Sequence, residues 1–234
     1  MDLSEAKVLV TGGSSGIGKE TARLLAEKGA NVAICARHED QLKEAAEEID
    51  ALPIQADISK EKDVKVLVDA TIKALGGYNV LINNAAYGYF AQLLDFDLNK
   101  FNEMMATNVT GTILMAREST RYFTEQEYGN IINIGSTAGA KGFPGGTPYC
   151  SSKFAVNALT ECWRSELRKY NIRVMQVNPS EVVTNFANTA GHGQNANETK
   201  LRPAEIAHVL ASMLEMDDRG FVTDTTVWAT NPKD

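Results

Sequence analysis

The opening stretch of the chain constrains the fold most. Ala6-Lys7-Val8-Leu9-Val10 is a short apolar run that stops at Thr11-Gly12-Gly13. From Gly16 to Lys28 the spacing turns helical, with Ile17, Thr21, Leu24 and Leu25 on one face and Gly29 as a stop. A buried strand, a glycine-rich turn and a helix in that order form the first half of a βαβ unit. The pattern then repeats. Strands are expected at Asn31–Ala36, Leu52–Ala56, Val80–Ile82, Ile131–Ile134, Ile172–Val177 and Val222–Trp228. Helices are expected at Gln41–Ile49, Lys60–Leu75, roughly Leu98–Phe123, Tyr149–Lys169 and Arg202–Met216. Strands alternating with helices imply a doubly wound α/β fold, a mostly parallel seven-stranded sheet covered on both faces. With 234 residues and neither repeat nor linker, residues 1–234 read as a single domain. Asn188–Thr199, rich in Gly, Asn and Gln, reads as a mobile lid.

Charge and composition exclude several classes. The formal charge is −7 and no Lys/Arg-rich run occurs, which argues against nucleic acid and anionic membrane as partners. No apolar run approaches the roughly 20 residues of a membrane helix, and Met1–Glu5 lacks the apolar core of a signal peptide. Three scattered cysteines suit a reducing compartment, so a cytoplasmic location is expected. His38, His192 and His208 form no ligand-like spacing with them, so no metal site is suggested.

Two stretches carry chemistry. In Thr11–Gly18, Gly12, Ser14, Ser15, Gly16, Ile17 and Gly18 lie between strand and helix, where glycines admit a pyrophosphate and the helix N-terminus offers free N–H groups. The second strand ends at Ala36-Arg37. An acidic residue there would bind the ribose of NAD; a small residue followed by a cation suits the 2′-phosphate of NADP, unless Arg37 is an ordinary surface arginine. Asp57 either accepts from the adenine amino group or caps the next helix, with Ser59 competing for the cap. In the second stretch, Ser136 closes a strand, a Gly/Pro loop follows, and Tyr149 and Lys153 open a helix on one face. An ammonium beside a phenol is expected to lower a pKa that starts near ~10, making Tyr149 an acid/base. Ser136 is placed to donate to a carbonyl oxygen. Cys150 reads as a small buried residue.

Together these motifs resemble the short-chain dehydrogenase/reductase family, in its TGxxxGxG and YxxxK branch. The residues are Thr11–Gly18, Asn83-Asn84-Ala85, Asn108-Val109-Thr110-Gly111, Ser136, Tyr149, Lys153 and Asn178-Pro179. Among members, the chain looks most like 3-oxoacyl-carrier-protein reductases and NADPH-dependent ketone reductases. The resemblance implies a Rossmann-type sheet and a catalytic set of Asn108, Ser136, Tyr149 and Lys153. It also implies a cofactor site shaped by Asn83, Ala85 and the segment around Asn108, with Pro179, Val182 and Thr184 near the carboxamide end and Lys153 on the nicotinamide ribose. NADPH would give hydride to a ketone, Tyr149 the proton, and Asn108 would help hold a relay water. Homotetramers, or homodimers, through helices near Thr107–Phe123 and Tyr149–Lys169 are implied as well.

Two glycines of the pattern are replaced, by Ala86 and by Ser180; Ala86 is expected to crowd the cofactor or be absorbed by a small shift, and Ser180 to be strained if its φ is positive. The absence of Gly-Gly near the C-terminus and the acidic Glu125-Gln126-Glu127 both weigh against an acidic carrier protein as partner. Substrate choice is expected to lie in Tyr87–Leu94 and Asn185–Thr199. The competing readings are an NAD-dependent sugar, polyol or steroid dehydrogenase, and a non-catalytic dinucleotide sensor.

Overall fold

A computed structural model of the chain describes residues 1–184, 186 and 199–231. Seven strands form one sheet: β1 Lys7–Thr11, β2 Asn31–Ala36, β3 Leu52–Gln55, β4 Val80–Asn83, β5 Gly129–Ile134, β6 Ile172–Pro179 and β7 Asp224–Val227. Their order is β3-β2-β1-β4-β5-β6-β7, and every pairing is parallel. The direction of winding reverses between β1 and β4, so the carboxyl ends of these two strands part and open a crevice.

Side-chain alternation along the strands makes two cores. Val8 and Val10 of β1, with Ile82, Ile132, Met175 and Val177, face α1 (Gly16–Glu27), α2 (Glu39–Ile49) and α7 (Pro203–Glu215). Leu9, Leu81, Ile131 and Val174 face the other way, onto α3 (Glu61–Leu75) and α5 (Thr112–Glu125), through Leu67, Met115 and Phe123. Because both faces are covered, the strands are apolar almost throughout rather than alternating.

Element ends fall within about two residues of the sequence expectation, with three informative differences. The helix expected from Leu98 to Phe123 is α4 (Leu98–Met105), a π-helical segment Ala106–Gly111, and α5. The helix expected from Tyr149 is α6 (Thr147–Leu167); Pro148 sits in its first turn, where a missing N–H costs nothing. The last strand is only Asp224–Val227, not Val222–Trp228. The lid expected over Asn188–Thr199 lies, apart from Thr199, outside the described residues. Ser180 is not strained: the positive-φ residues other than glycine among those described are Asp50, Glu127 and Asn171. Among the described residues no helix is long and apolar enough to cross a membrane.

Candidate active site

The crevice is a cavity of about 1400 Å³ that runs from the N-terminus of α1 to the N-terminal half of α6. Its first wall is the β1–α1 turn. Gly12 and Gly16 hold φ of +66° and +54°, which a side chain would strain. A Cβ on Gly12 would stand 2.9 Å from Ala85 Cα, so the turn closes directly on the segment after β4. Gly18 is tighter still: its Cβ would meet Gly12 O at 2.3 Å and Asn84 Nδ2 at 2.4 Å. Ser15, at the N-cap of α1, makes no capping hydrogen bond. Among the described residues the first-turn N–H groups of α1 have no side-chain acceptor, and Ser15, Gly16 and Ile17 line the cavity, as an anion site requires.

Gly12, Ser14, Ser15, Gly16 and Ile17 line this end. Gly18 does not; it sits behind the turn and permits the close approach. Arg37 lines the cavity just past β2, exposed, and its guanidinium has no partner among the described residues. Asp57 is also on the wall. Its Oδ1 accepts from Ser59 N (3.1 Å) and Ser59 Oγ (2.7 Å), and Lys60 Nζ lies 3.7 Å from Oδ2. Burial pulls this carboxyl upward, but the Ser59 bonds and the Lys60 and Arg37 charges together hold it below its usual value. Asp57 thus reaches the cavity and braces the turn before α3, but it does not cap that helix, whose N-cap is Lys60 with no side-chain capping bond.

Asn83 departs from expectation. It ends β4 pointing into the layer rather than onto the cavity wall. Its Nδ2 donates to Asn133 Oδ1 (2.9 Å), whose Nδ2 donates to Thr160 Oγ1 (2.8 Å), tying β4 through β5 to α6. Asn84 lines the cavity instead, and clamps the turn by donating from Nδ2 to Thr11 O (3.0 Å) and Gly12 O (3.2 Å). Ala85 and Ala86 continue the wall. Pro179, Val182 and Thr184 close it from the β6 side.

Ser136, Tyr149 and Lys153 converge on the far wall. Four residues apart on α6, Tyr149 and Lys153 share one face, with Lys153 Nζ 5.8 Å from the Tyr149 ring centroid. Ser136 Oγ accepts from Ala138 N at 3.1 Å, capping the turn after β5, and hydrogen-bonds the Tyr149 phenol. Lys153 Nζ donates to Ile134 O at 2.8 Å. Charges here differ from the sequence expectation. Burial pushes the Tyr149 phenol up to about 12, with the Ser136 hydrogen bond opposing it and Cys150 adding to it. Burial also brings the Lys153 ammonium down to about 8. The expected lowering of the phenol by the ammonium is therefore overridden by desolvation of both groups.

Asn108 is 2% exposed and does not line the cavity. Its side chain clamps the backbone of Tyr87: Tyr87 N donates to Oδ1 (3.0 Å), and Nδ2 donates to Tyr87 O (3.0 Å) and Ser152 Oγ (3.2 Å). The π-helical turn delivers it there, as such turns often do at working sites. The sequence reading missed the roles of Asn84, Ser152 and Phe143; it named Tyr87–Leu94 and Asn185–Thr199 for substrate choice but not the contacts of their Phe90 and Phe186 rings with Tyr149. Phe143 had a signal, an isolated aromatic in a Gly/Pro loop; the others are set by tertiary contact.

A parallel sheet with a winding reversal, an uncapped helix end and a Ser/Tyr/Lys wall on one cavity define a dinucleotide-binding oxidoreductase class. A family model described as short chain dehydrogenase matches residues 6–195, and the chain belongs to the short-chain dehydrogenase/reductase family, oxidoreductases acting on CH–OH and C=O groups. It is 31% identical to the NADP-dependent 3-hydroxy acid dehydrogenase of Schizosaccharomyces pombe, over 96% of this chain and 92% of that one. An alcohol dehydrogenase from the archaeon Thermococcus sibiricus, complexed with 5-hydroxy-NADP, superposes with a TM-score of 0.89 at 27% identity, over 98% of this chain and 100% of that one. A 3-ketoacyl-(acyl-carrier-protein) reductase from Brucella melitensis, complexed with NADH, gives 0.90 at 28% identity, over 97% and 98%.

Proposed function

We propose that the protein is an NADPH-dependent carbonyl reductase, reversible as an alcohol dehydrogenase. The observation that carries this reading is the wall of Ser136, Tyr149 and Lys153 on the cavity that begins at the uncapped N-terminus of α1. When bound, the nicotinamide supplies a hydride. The chain supplies the rest. The first turn of α1 binds pyrophosphate, and Arg37 meets a 2′-phosphate with a guanidinium that has no hydrogen bond or ion pair among the described residues. A phenol raised to about 12 stays protonated at neutral pH and serves as the acid toward a carbonyl oxygen. Ser136 donates to the same oxygen, and Lys153 holds the ribose and a positive charge beside the phenol. Asn108 acts at one remove, by fixing the Tyr87 segment and Ser152.

The NADP named in the fission-yeast and Thermococcus proteins supports the cofactor choice. We place the cofactor and catalytic groups in one domain of a cytoplasmic homo-oligomer, a tetramer or dimer. The exposed Phe154 on α6 supports its assembly through the long helices. The test varies the ketone widely: purified protein is mixed with NADPH or NADH and a panel of small ketones and 3-oxoacyl thioesters while nicotinamide absorbance is followed. NADPH oxidation that needs a ketone is expected, with Tyr149→Phe lowering turnover at least about 10³-fold and leaving NADPH affinity within about threefold, less than ~0.7 kcal/mol. Unchanged turnover in that variant would remove Tyr149 as the acid, and a preference for NADH would remove the Arg37 argument.

A further inference from the structure

Two loops each lay a phenylalanine ring against the catalytic tyrosine, and a third loop adds one behind the first. Phe90, in the loop after β4, has its ring centroid 5.1 Å from that of Tyr149. Phe186, beyond β6, lies 5.6 Å from it. Phe143, in the loop after β5, meets Phe90 at 6.2 Å. The arrangement is held by backbone. Ala91 pairs with Gly146 in an isolated parallel bridge, and Ala91 N donates to Gly145 O at 2.9 Å. A Cβ on Gly88 would stand 2.8 Å from Phe90 and 2.9 Å from Phe186, so both rings close over a position that only glycine leaves open. All three rings line the cavity, none is fully buried, and Phe143 is 47% exposed. Apolar ring surface kept open inside a concave site marks a subsite for an apolar group.

Charge decides against an acid. Among the described residues four cations line the cavity: Lys19, Arg37, Lys153 and Lys200. Lys19 is paired with Glu48 and Lys200 with Glu181. Arg37 lies at the opposite end, past β2, and Lys153 is turned to Ile134 O. Residues 185–199 contain neither lysine nor arginine. A carboxylate held beside Tyr149 would lie against phenylalanine rings with no unpaired cation beside it among the described residues.

We infer that the substrate is a neutral ketone with an aryl ring on its carbonyl carbon, the ring seated among Phe90, Phe143 and Phe186, and that 3-oxo acids are poor substrates. This rests on the carbonyl-reductase reading above and gives its substrate class. It separates this chain from the relative named for 3-hydroxy acids. With acetophenone, the C=O π bond breaks as carbon takes one hydride from the reduced cofactor and oxygen takes the Tyr149 proton. The products are 1-phenylethanol and the oxidised cofactor, and solvent returns the proton to Tyr149.

The test compares kcat/KM for acetophenone, 2-butanone and acetoacetate at saturating NADPH. Acetophenone is expected to exceed 2-butanone about tenfold and acetoacetate about 100-fold. Acetoacetate equal to or better than acetophenone overturns the inference. Phe90→Leu, which keeps the site apolar, is expected to cut the acetophenone to 2-butanone ratio about fivefold; an equal loss on both overturns it. Phe143→Leu, at a half-exposed ring, replaces that variant if Phe90→Leu lowers the melting temperature. Saturation-transfer NMR of acetophenone and of acetoacetate against the NADP⁺-loaded protein reads binding without turnover. Transfer to acetophenone alone, lost in the leucine variant, supports the subsite even if no ketone is reduced, in which case only the reductase reading falls. Equal transfer to both, or to neither, overturns the subsite.

Discussion

Lys153 Nζ has Ile134 O as its hydrogen-bond acceptor and is only 4% exposed, with no carboxylate paired to it among the described residues. Its ammonium is drawn down to about 8 from an ordinary 10.5 by burial. A depressed folded-state pKa gives stability that is present above the unfolded value and lost as pH falls through the folded one. The folded protein therefore gains stability between about pH 8 and 10.5 and carries a penalty at neutral pH. Lys153→Met removes that penalty. It is expected to raise the stability of the cofactor-free protein by about 2 kcal/mol, a melting temperature roughly 4–8 °C higher, while abolishing turnover. A lower melting temperature would show that the ammonium stabilises the fold. The same titration sets the pH profile: reduction is expected to decline as pH rises through about 8, where Lys153 loses its proton, while the Tyr149 phenol, at about 12, stays protonated. A decline only above pH 10 would refute the assignment to Lys153.

At the scale of elements, the π-helical segment Ala106–Gly111 interrupts a helix that would otherwise run straight from Leu98 to Glu125. It brings Asn108 to the backbone of Tyr87, and the loop carrying Phe90 starts there. Asn108→Ala leaves the Tyr87 N–H and C=O without these partners, an expected loss of about 2–4 kcal/mol. Asn108→Asp keeps an acceptor for the Tyr87 N–H and is expected to lose less. Chemical denaturation of both variants checks this, and two equal losses would mean the clamp is not the cause.

The sheet was legible in the sequence because strands buried on both faces read as apolar runs between turn signals. So were the amphipathic helices and the Ser136, Tyr149 and Lys153 wall, whose spacing follows from one strand end and one helix face. The π turn was not, since Thr107–Gly111 breaks no helical period when read as residue types. Asn83 and Asn84 are adjacent polar residues, and which one meets the cavity depends on where β4 ends. The Tyr149 shift escaped because sequence shows the neighbouring ammonium and hides the burial that outweighs it.

At the scale of the molecule, the cavity takes walls from both halves of the sheet, so a ligand filling it ties them together. NADPH at about 100 times its Kd is expected to add about 2.7 kcal/mol, raising the melting temperature by roughly 5–11 °C. NADH at equal concentration is expected to add less, because Arg37 has no phosphate to meet. Thermal-shift curves with both cofactors decide it; equal shifts would leave Arg37 without a role in cofactor choice.

The central place of β1 also governs how the chain comes off the ribosome. The partners β1 to β3 are all present once residues 7–55 have emerged, but the second edge of β1 has no partner before Val80–Ile82. During synthesis of the intervening α3 segment, a strand with Val8, Leu9 and Val10 wholly apolar offers an open row of amides and carbonyls. An open edge of that kind is a template for pairing with other chains, so nascent chains halted between Gln55 and Val80 are expected to aggregate more readily than chains halted after β4.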